Sequence, residues 1–233
     1  MVKTFSPKRP QSSPWGLVLA SRIQDAWKGL GAPGLGDWDY IRDFRNDPVG
    51  TGIPDEIIRL EGDSSNNQIE EFEGENVFRF TGTGVYIWET LPTLQDMLIE
   101  MEFWASSQAN NQSSGLMGRL RDTNNFEGYF FTSSDAGTNP QTLEYTNSSG
   151  SFISTSGDPI DVGPGKWVTY KVQIQGTTLS YKGWETGTEE PEGWAMEPTD
   201  SAHSEGKVGF RTTMGSTTYR CRVIRVKDLS EAE

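Results

Sequence analysis

"WVTYKVQIQGTTLSYKGW", residues Trp167–Trp184, alternates apolar and polar residues on both sides of a glycine. Val168, Tyr170, Val172 and Ile174 fall on one side of an extended chain, with Thr169, Lys171 and Gln173 on the other, because successive side chains of a strand point to opposite faces. After Gly176, Leu179 and Tyr181 resume the pattern against Ser180 and Lys182. The stretch predicts two half-buried antiparallel strands joined by a turn.

The same period extends outward. "DMLIEMEFWA" (Asp96–Ala105) sends Ile99, Met101 and Phe103 to one face and Glu100, Glu102 and Trp104 to the other. "NVFRF", "VYIWE", "SGLMGRLR", "EGYFFTS", "TLEYT" and "YRCRVIRV" add further strands. About a dozen short strands with frequent turns imply an all-β, two-sheet antiparallel sandwich or jelly roll. No fixed-period repeat suggests a propeller or solenoid. The glycines of "TGTGVYIW" read as a hairpin turn, since the third glycine and following helix of a dinucleotide loop are missing.

Between Leu179 and Phe210 the chain holds a long loop with Trp184, Trp194, several acids and the single histidine, His203. Gly183, Gly187, Pro191, Gly193, Pro198 and Gly206 interrupt any regular element there. The loop is read as scaffolding: the two tryptophans cover a sheet edge or an end of the core, and the acids keep the loop soluble. A lone histidine in a polar loop reads as solvated.

Composition agrees with many short strands. The 233 residues include 26 glycines and 12 prolines, with 33% hydrophobic residues. That length fits one large β domain or a domain with an appendage. The formal charge of −13 opposes nucleic acid and anionic membranes as partners. It is unevenly placed: residues 1–45 hold seven Lys/Arg and four Asp/Glu, a net +3, leaving −16 for residues 46–233. Cys221 is alone, so no intrachain disulfide forms, and its strand parity with Tyr219 and Val223 predicts burial. No stretch has the length of a secretory core or a bilayer span, so no standard export route is expected.

Residues 1–39 are read as an anchoring arm, 40–229 as the jelly roll and 230–233 as a tail. In the arm, Trp15, Leu19, Ile23, Trp27 and Leu30 recur at roughly helical spacing before "GAPGLGD", predicting a short amphipathic helix. Its stripe packs either on the same chain or on another subunit.

Four segments then carry a resemblance: "DFRNDPVGTGIPDEI", "RLRDTNNFEGYFF", "GKWVTYKVQIQGTTLSYKGWETGTEEPEGW" and "GKVGFRTT". Residues 40–229 resemble the concanavalin A-like lectin/glucanase superfamily, specifically the laminin-G-like jelly rolls common in bacteriophage virion proteins and some secreted bacterial proteins. The resemblance implies the sandwich fold. It leaves function open, because this sandwich hosts hydrolases, lectins and structural modules.

A retaining glucanase on this fold is expected to carry E-x-D-x-x-E, since nucleophile and acid/base must face one sugar about 5 Å apart. Glu100-Met101-Glu102 departs from that pattern at its second acid and lacks the third, so alternating Glu reads as a solvated sheet face and no catalytic residue is assigned. Asp63, Asp135, Asp158 and Asp161 sit in loops without calcium-loop spacing and read as solvated, so no metal and no cofactor is expected. Sugar binding needs a ring to stack on and polar groups for hydroxyls. Trp88, Trp104, Arg119, Arg121, Asn125 and Tyr129 are the candidates, with packing inside the sandwich or against a neighbouring subunit as the other reading.

The function expected is that of a non-enzymatic virion protein on a capsid or tail surface. It would display a lectin-like sandwich for host glycans and join other virion proteins through the arm, with a homo-oligomer as a further expected association. A free carbohydrate-binding module, or a divergent glycoside hydrolase, is the alternative.

Overall fold

A computed structural model describes residues 38–62, 67–106, 113–121, 127–134, 141–146, 152–156 and 164–230. The chain divides into two compact units, 1–37 and 38–233, and the second is described below. The predicted helix of Trp15, Leu19, Ile23, Trp27 and Leu30 lies outside the described residues, as do Asp63, Asp135, Asp158 and Asp161.

The strands are β1 (Tyr40–Asp43), β2 (Ile57–Gly62), β3 (Gln68–Phe72), β4 (Glu75–Trp88), β5 (Met97–Ala105), β6 (Ser113–Leu120), β7 (Tyr129–Ser134), β8 (Gln141–Thr146), β9 (Phe152–Ser156), β10 (Trp167–Gln175), β11 (Thr178–Glu185) and β12 (Lys207–Asp228). A 3-10 turn at Phe44–Asn46 follows β1, and the described residues contain no α-helix. All pairings are antiparallel, in the order β11-β10-β5-β12-β6-β7-β8-β9, with β1 on β12 and β2 and β3 on β4.

β12 organises the whole. Its first half pairs with β4 and β6, placing Phe210 opposite Tyr86 and Leu116. Its second half pairs with β5 and β1, placing Ile224 opposite Met101 and Arg42. The ladder therefore folds into two layers along β4 and β12, an all-β sandwich in which the sheet is nearly closed. Gly118 on β6 faces Ile174 and Ile99 across the interior: a Cβ there would lie 2.4 Å from Ile174 Cδ1.

The glycines read as a hairpin turn lie instead within the 14-residue β4. Gly82 takes φ +86°, open to glycine without steric cost, and the pairing register with β12 shifts between Met214 and Thr218 at the same level. "NVFRF" and "VYIWE" are thus one bent strand. Local turn chemistry was outweighed by the pairing of two long strands.

The inward set of the alternating strands is buried as expected: Ile99, Met101, Phe103, Val168, Tyr170, Val172 and Ile174 are at most 5% exposed. Cys221 is buried among them, and burial pushes its thiol far up. A continuous row of rings crosses the core, running Phe44, Phe78, Phe80, Tyr219, Phe103, Tyr170, Tyr181 and Phe131 with neighbouring centroids 5.4–6.0 Å apart. Each such pair adds about 0.5–1.5 kcal/mol beyond area burial. Val85, Ile87, Met117, Leu120 and Phe130 form a separate buried cluster with Leu60. The run Val85–Trp88 is accordingly buried throughout, where a half-buried strand would alternate.

Phe103 touches rings on both β10 and β12, so truncating it opens a cavity that two strands cannot jointly fill. Phe103→Ala should cost about 3–5 kcal/mol in urea unfolding, with the fold retained by far-UV circular dichroism.

Candidate functional site

The six candidate glycan residues do not converge. Trp88 lies in the core, and its indole N–H donates to Thr90 Oγ1 at 3.1 Å. Trp104 lies on the opposite face of β5, against Phe72 at 4.9 Å between centroids and beneath the Arg220 guanidinium at 4.3 Å. Trp88 is thus buried in its own chain, and Trp104 is half-buried against Phe72 and Arg220. Asn125 lies outside the described residues. Arg121 is exposed, and its backbone N–H donates to Glu127 O.

Arg119 and Tyr129 are buried, a correction with a clear cause. Arg119 takes φ +47°, which breaks the parity it was expected to share with Arg121 and turns its side chain inward. The guanidinium donates to Gln95 O at 2.7 Å, His203 O at 2.7 Å and Gly176 O at 2.8 Å, and pairs with Asp96 Oδ1 at 3.2 Å. Five fixed donors in one plane suit such a cluster of acceptors. The Tyr129 hydroxyl donates to Asp200 Oδ1 at 2.9 Å and accepts from His203 N at 3.1 Å, and its ring meets the His203 imidazole edge-on at 5.2 Å. Burial pushes the Tyr129 phenol up to about 12. His203, read as solvated, is 2% exposed. Arg119 and Tyr129 thus hold the end of the long loop to the sandwich.

The rest of that loop is equally committed. Leu179 N–H donates to Pro198 O, Tyr181 N–H to Met196 O, Ala195 N–H to Tyr181 O and Asp200 N–H to Thr177 O, all at 2.9–3.0 Å. Residues 195–200 thereby cover the outer edge of β11, by backbone hydrogen bonds rather than by the Trp184 and Trp194 rings that the reading assigned to it. Upstream, Lys182 is buried with its ammonium 4.9 Å from the Trp194 ring, donating to Pro191 O at 2.7 Å and pairing with Glu190 at 2.7 Å. Lys171 holds the same carboxylate at 2.9 Å. A buried ammonium is tolerable because each of these groups replaces water. Burial raises the Glu190 carboxyl, but hydrogen bonds from Lys182 and Lys171 outweigh it and leave it below its ordinary 4.5.

Glu100 and Glu102 do share a face, yet it is not the solvated face expected from alternation. Arg225 Nη1 reaches Glu100 Oε1 at 2.6 Å and Glu102 Oε1 at 3.0 Å. Arg222 Nε holds the other oxygen of Glu102, and its Nη1 reaches Glu75 at 3.2 Å. Burial raises the Glu100 carboxyl against the pull of Arg225 and Lys171. Arg220 pairs with Glu70 at 2.7 Å and lies over Phe72 at 3.9 Å, while Arg222 lies over Trp167 at 4.4 Å. This lattice of guanidiniums, rings and carboxylates was missed as a unit. Its sequence signal was the spacing of Arg220, Arg222 and Arg225, two of them on the parity opposite Cys221. Among the described residues, no group of three His, Cys, Asp or Glu could hold a metal ion.

No family model matches the chain, and no curated protein sequence matches it. Its fold does match solved structures. Carbohydrate-binding module CBM66 from Bacillus subtilis is 16% identical with a TM-score of 0.52, covering 73% of this chain and 95% of that one. A glycoside hydrolase family 16 endo-glucanase from Bacteroides ovatus is 8% identical with a TM-score of 0.56, covering 81% and 99%. Xylan beta-1,4-xylosidase from Bacillus halodurans C-125 is 15% identical with a TM-score of 0.59, covering 81% of this chain and 39% of the enzyme. At these identities the likeness establishes the fold alone, a β-sandwich jelly roll.

Removing the Arg119 guanidinium takes one donor from each of three carbonyls and a carboxylate. Arg119→Met should cost about 3–5 kcal/mol and speed proteolysis between residues 186 and 206, and Arg119→Lys should not restore it, since one ammonium cannot span the four acceptors. Folded Glu190 binds its proton more weakly than unfolded Glu190, so its pairing stabilises the fold above the ordinary 4.5 and is lost as pH falls through the folded value. Glu190→Gln should therefore flatten the acid limb of a stability–pH curve. The effect should be modest, because the carboxylate is 39% exposed.

Proposed function

We propose that this chain is a non-catalytic jelly-roll module that serves in display and attachment rather than hydrolysis. The solved neighbours include both a carbohydrate-binding module and hydrolases, so the fold does not separate the two roles. The observation that carries the non-catalytic reading is the state of Glu102, whose two oxygens are both held by arginines. A nucleophilic carboxylate needs a free oxygen directed at a sugar, and a general acid needs a partner that can exchange its proton with substrate. Glu100 has the raised affinity for a proton that an acid requires, but it shares its guanidinium with Glu102 on a face otherwise occupied by Arg220, Arg222, Phe72 and Trp104.

The setting that fits such a module is a particle surface, of which a bacteriophage virion is the expected case. Two features support it: the resemblance of residues 40–229 to jelly rolls of virion proteins, and the net +3 of residues 1–45 against −16 for the remainder. In this reading residues 1–39 anchor the module to other virion proteins and the sandwich faces outward. Of the six glycan candidates, Arg121 is the one that the described residues leave exposed, so a glycan would engage that end of β6 rather than Trp88 or Trp104.

Two measurements test the proposal. The purified protein should release no reducing sugar from soluble β-glucans or xylans, and turnover abolished by Glu100→Gln with Glu102→Gln would overturn the non-catalytic reading. The chain lacking residues 1–36 should fold yet vanish from purified particles by mass spectrometry. Incorporation at normal occupancy would remove the arm as anchor, and glycan binding by a chain never found on particles would favour the free carbohydrate-binding module.

A further inference from the structure

Acids outnumber bases 29 to 13 in residues 46–233, and the half-buried arginines of the sandwich are held accordingly. Arg42, Arg79, Arg220, Arg222 and Arg225 each reach a carboxylate. Arg59 on β2 differs: it is half-buried like them, yet its Nη1 is sealed from solvent and has no hydrogen-bond partner. Its cross-strand partner is Tyr86, so the two side chains share the inward face with Ile57 and Trp88, their Cβ atoms about 4.5–5.5 Å apart. The register shifts between Arg59 and Glu61, a bulge of the kind that re-aims a side chain. Tyr86 also has an unfilled donor. Its hydroxyl accepts from Asn67 Nδ2 at 2.6 Å, and Asn67 is its one hydrogen-bond partner among the described residues. Thr81 N orients that amide by donating to Asn67 Oδ1 at 3.3 Å. Burial pushes the Tyr86 phenol up, against Asn67 and Arg59, so the hydroxyl keeps its proton. Stacking on Phe210 at 4.8 Å fixes the ring, and Gly84 leaves room for the hydroxyl, since a Cβ there would lie 2.9 Å from it.

A sequestered donor without an acceptor is destabilising, and two of them on one cross-strand pair suit an acceptor with two oxygens. We infer that Arg59 and Tyr86 form a binding site for the carboxylate of an acidic sugar, the guanidinium donating to one oxygen and the phenol to the other. Hydrogen bonds from a guanidinium to a carboxylate are among the stronger ones, and a neutral sugar offers only hydroxyls in that place. The charge of the body favours a sugar over an acidic protein segment: a net −16 over residues 46–233 repels a polyanionic partner, whereas one uronic acid brings a single charge. The inference rests on the glycan binding proposed above. It adds a contact to that at Arg121 and names the sugar class selected.

Calorimetric titration of the full chain tests it, with oligomers of galacturonate, glucuronate and mannuronate, their methyl esters, and tetra-aspartate. At least one acid should bind, its ester at least about tenfold more weakly. Arg59→Met should abolish that preference, and Tyr86→Phe should weaken the acid about tenfold or more, the effect of losing one hydrogen bond to a charged group. Because no group of the chain holds Arg59 Nη1, Arg59→Met should leave the urea midpoint unchanged or raise it, opposite to Arg119→Met. A lowered midpoint, or failure to fold, would mean that the chain itself already holds Arg59, and overturns the inference. So does tetra-aspartate bound more tightly than every sugar acid. Acid and ester bound alike, with or without Arg59, overturn it while leaving the glycan reading in place, whereas binding of no sugar at all removes both.

Discussion

The pairing of β4 with β12 is the constraint on which the rest of this structure depends. Both strands are too long to belong to one layer, and they bend together where Gly82 adopts a positive φ and the register shifts between Met214 and Thr218. On one side of that bend Tyr86 stacks on Phe210 at 4.8 Å; on the other Phe80 stacks on Tyr219 at 5.7 Å. The two strands thus place aromatic rings from both layers in one continuous core. Gly209 lets β4 and β12 lie this close, since a Cβ there would sit 2.3 Å from Tyr86 O.

Charge is managed locally rather than by balance. Residues 46–233 hold 13 basic residues against 29 acidic ones, and several arginines of the described residues join distant segments. Arg225 and Arg222 bind carboxylates on the face of β5, Arg220 bridges β12 to β3, and Arg119 collects carbonyls from three chain segments. Exposed ion pairs contribute little, but these are largely shielded, and several lie on aromatic faces where cation–π attraction adds to the pairing. The carboxylates nearest a glucanase spacing, Glu100 and Glu102, are held by arginine in the same way.

Much of the architecture was legible before any coordinates, for a physical reason. Burial in a sheet has a period of two, so Ile99, Met101, Phe103, Val168, Tyr170, Val172 and Ile174 declared their face by spacing alone, and a slip of one residue would have buried Glu100, Glu102 and Lys171. The capping role of the long loop was legible too, because glycine and proline exclude a regular element and an edge must be covered. The short strands β1, β3 and β9 gave too few residues for a period to show.

What the sequence by itself determined was therefore the fold class, the inward set of the long strands, the buried cysteine and the absence of a glucanase-like carboxylate pattern. What only the tertiary structure decided was where each polar or aromatic candidate came to rest. Trp88, Trp104, Arg119, Tyr129 and His203 each satisfied a local rule for exposure or recognition, yet packing placed Trp88, Tyr129 and His203 in the interior, closed Arg119 on four acceptors and Trp104 on Phe72 and Arg220. Parity says which side of a strand a residue occupies. It cannot say what the far side of that strand meets, because those contacts come from segments tens of residues away, such as His203 meeting Tyr129 across 74 positions.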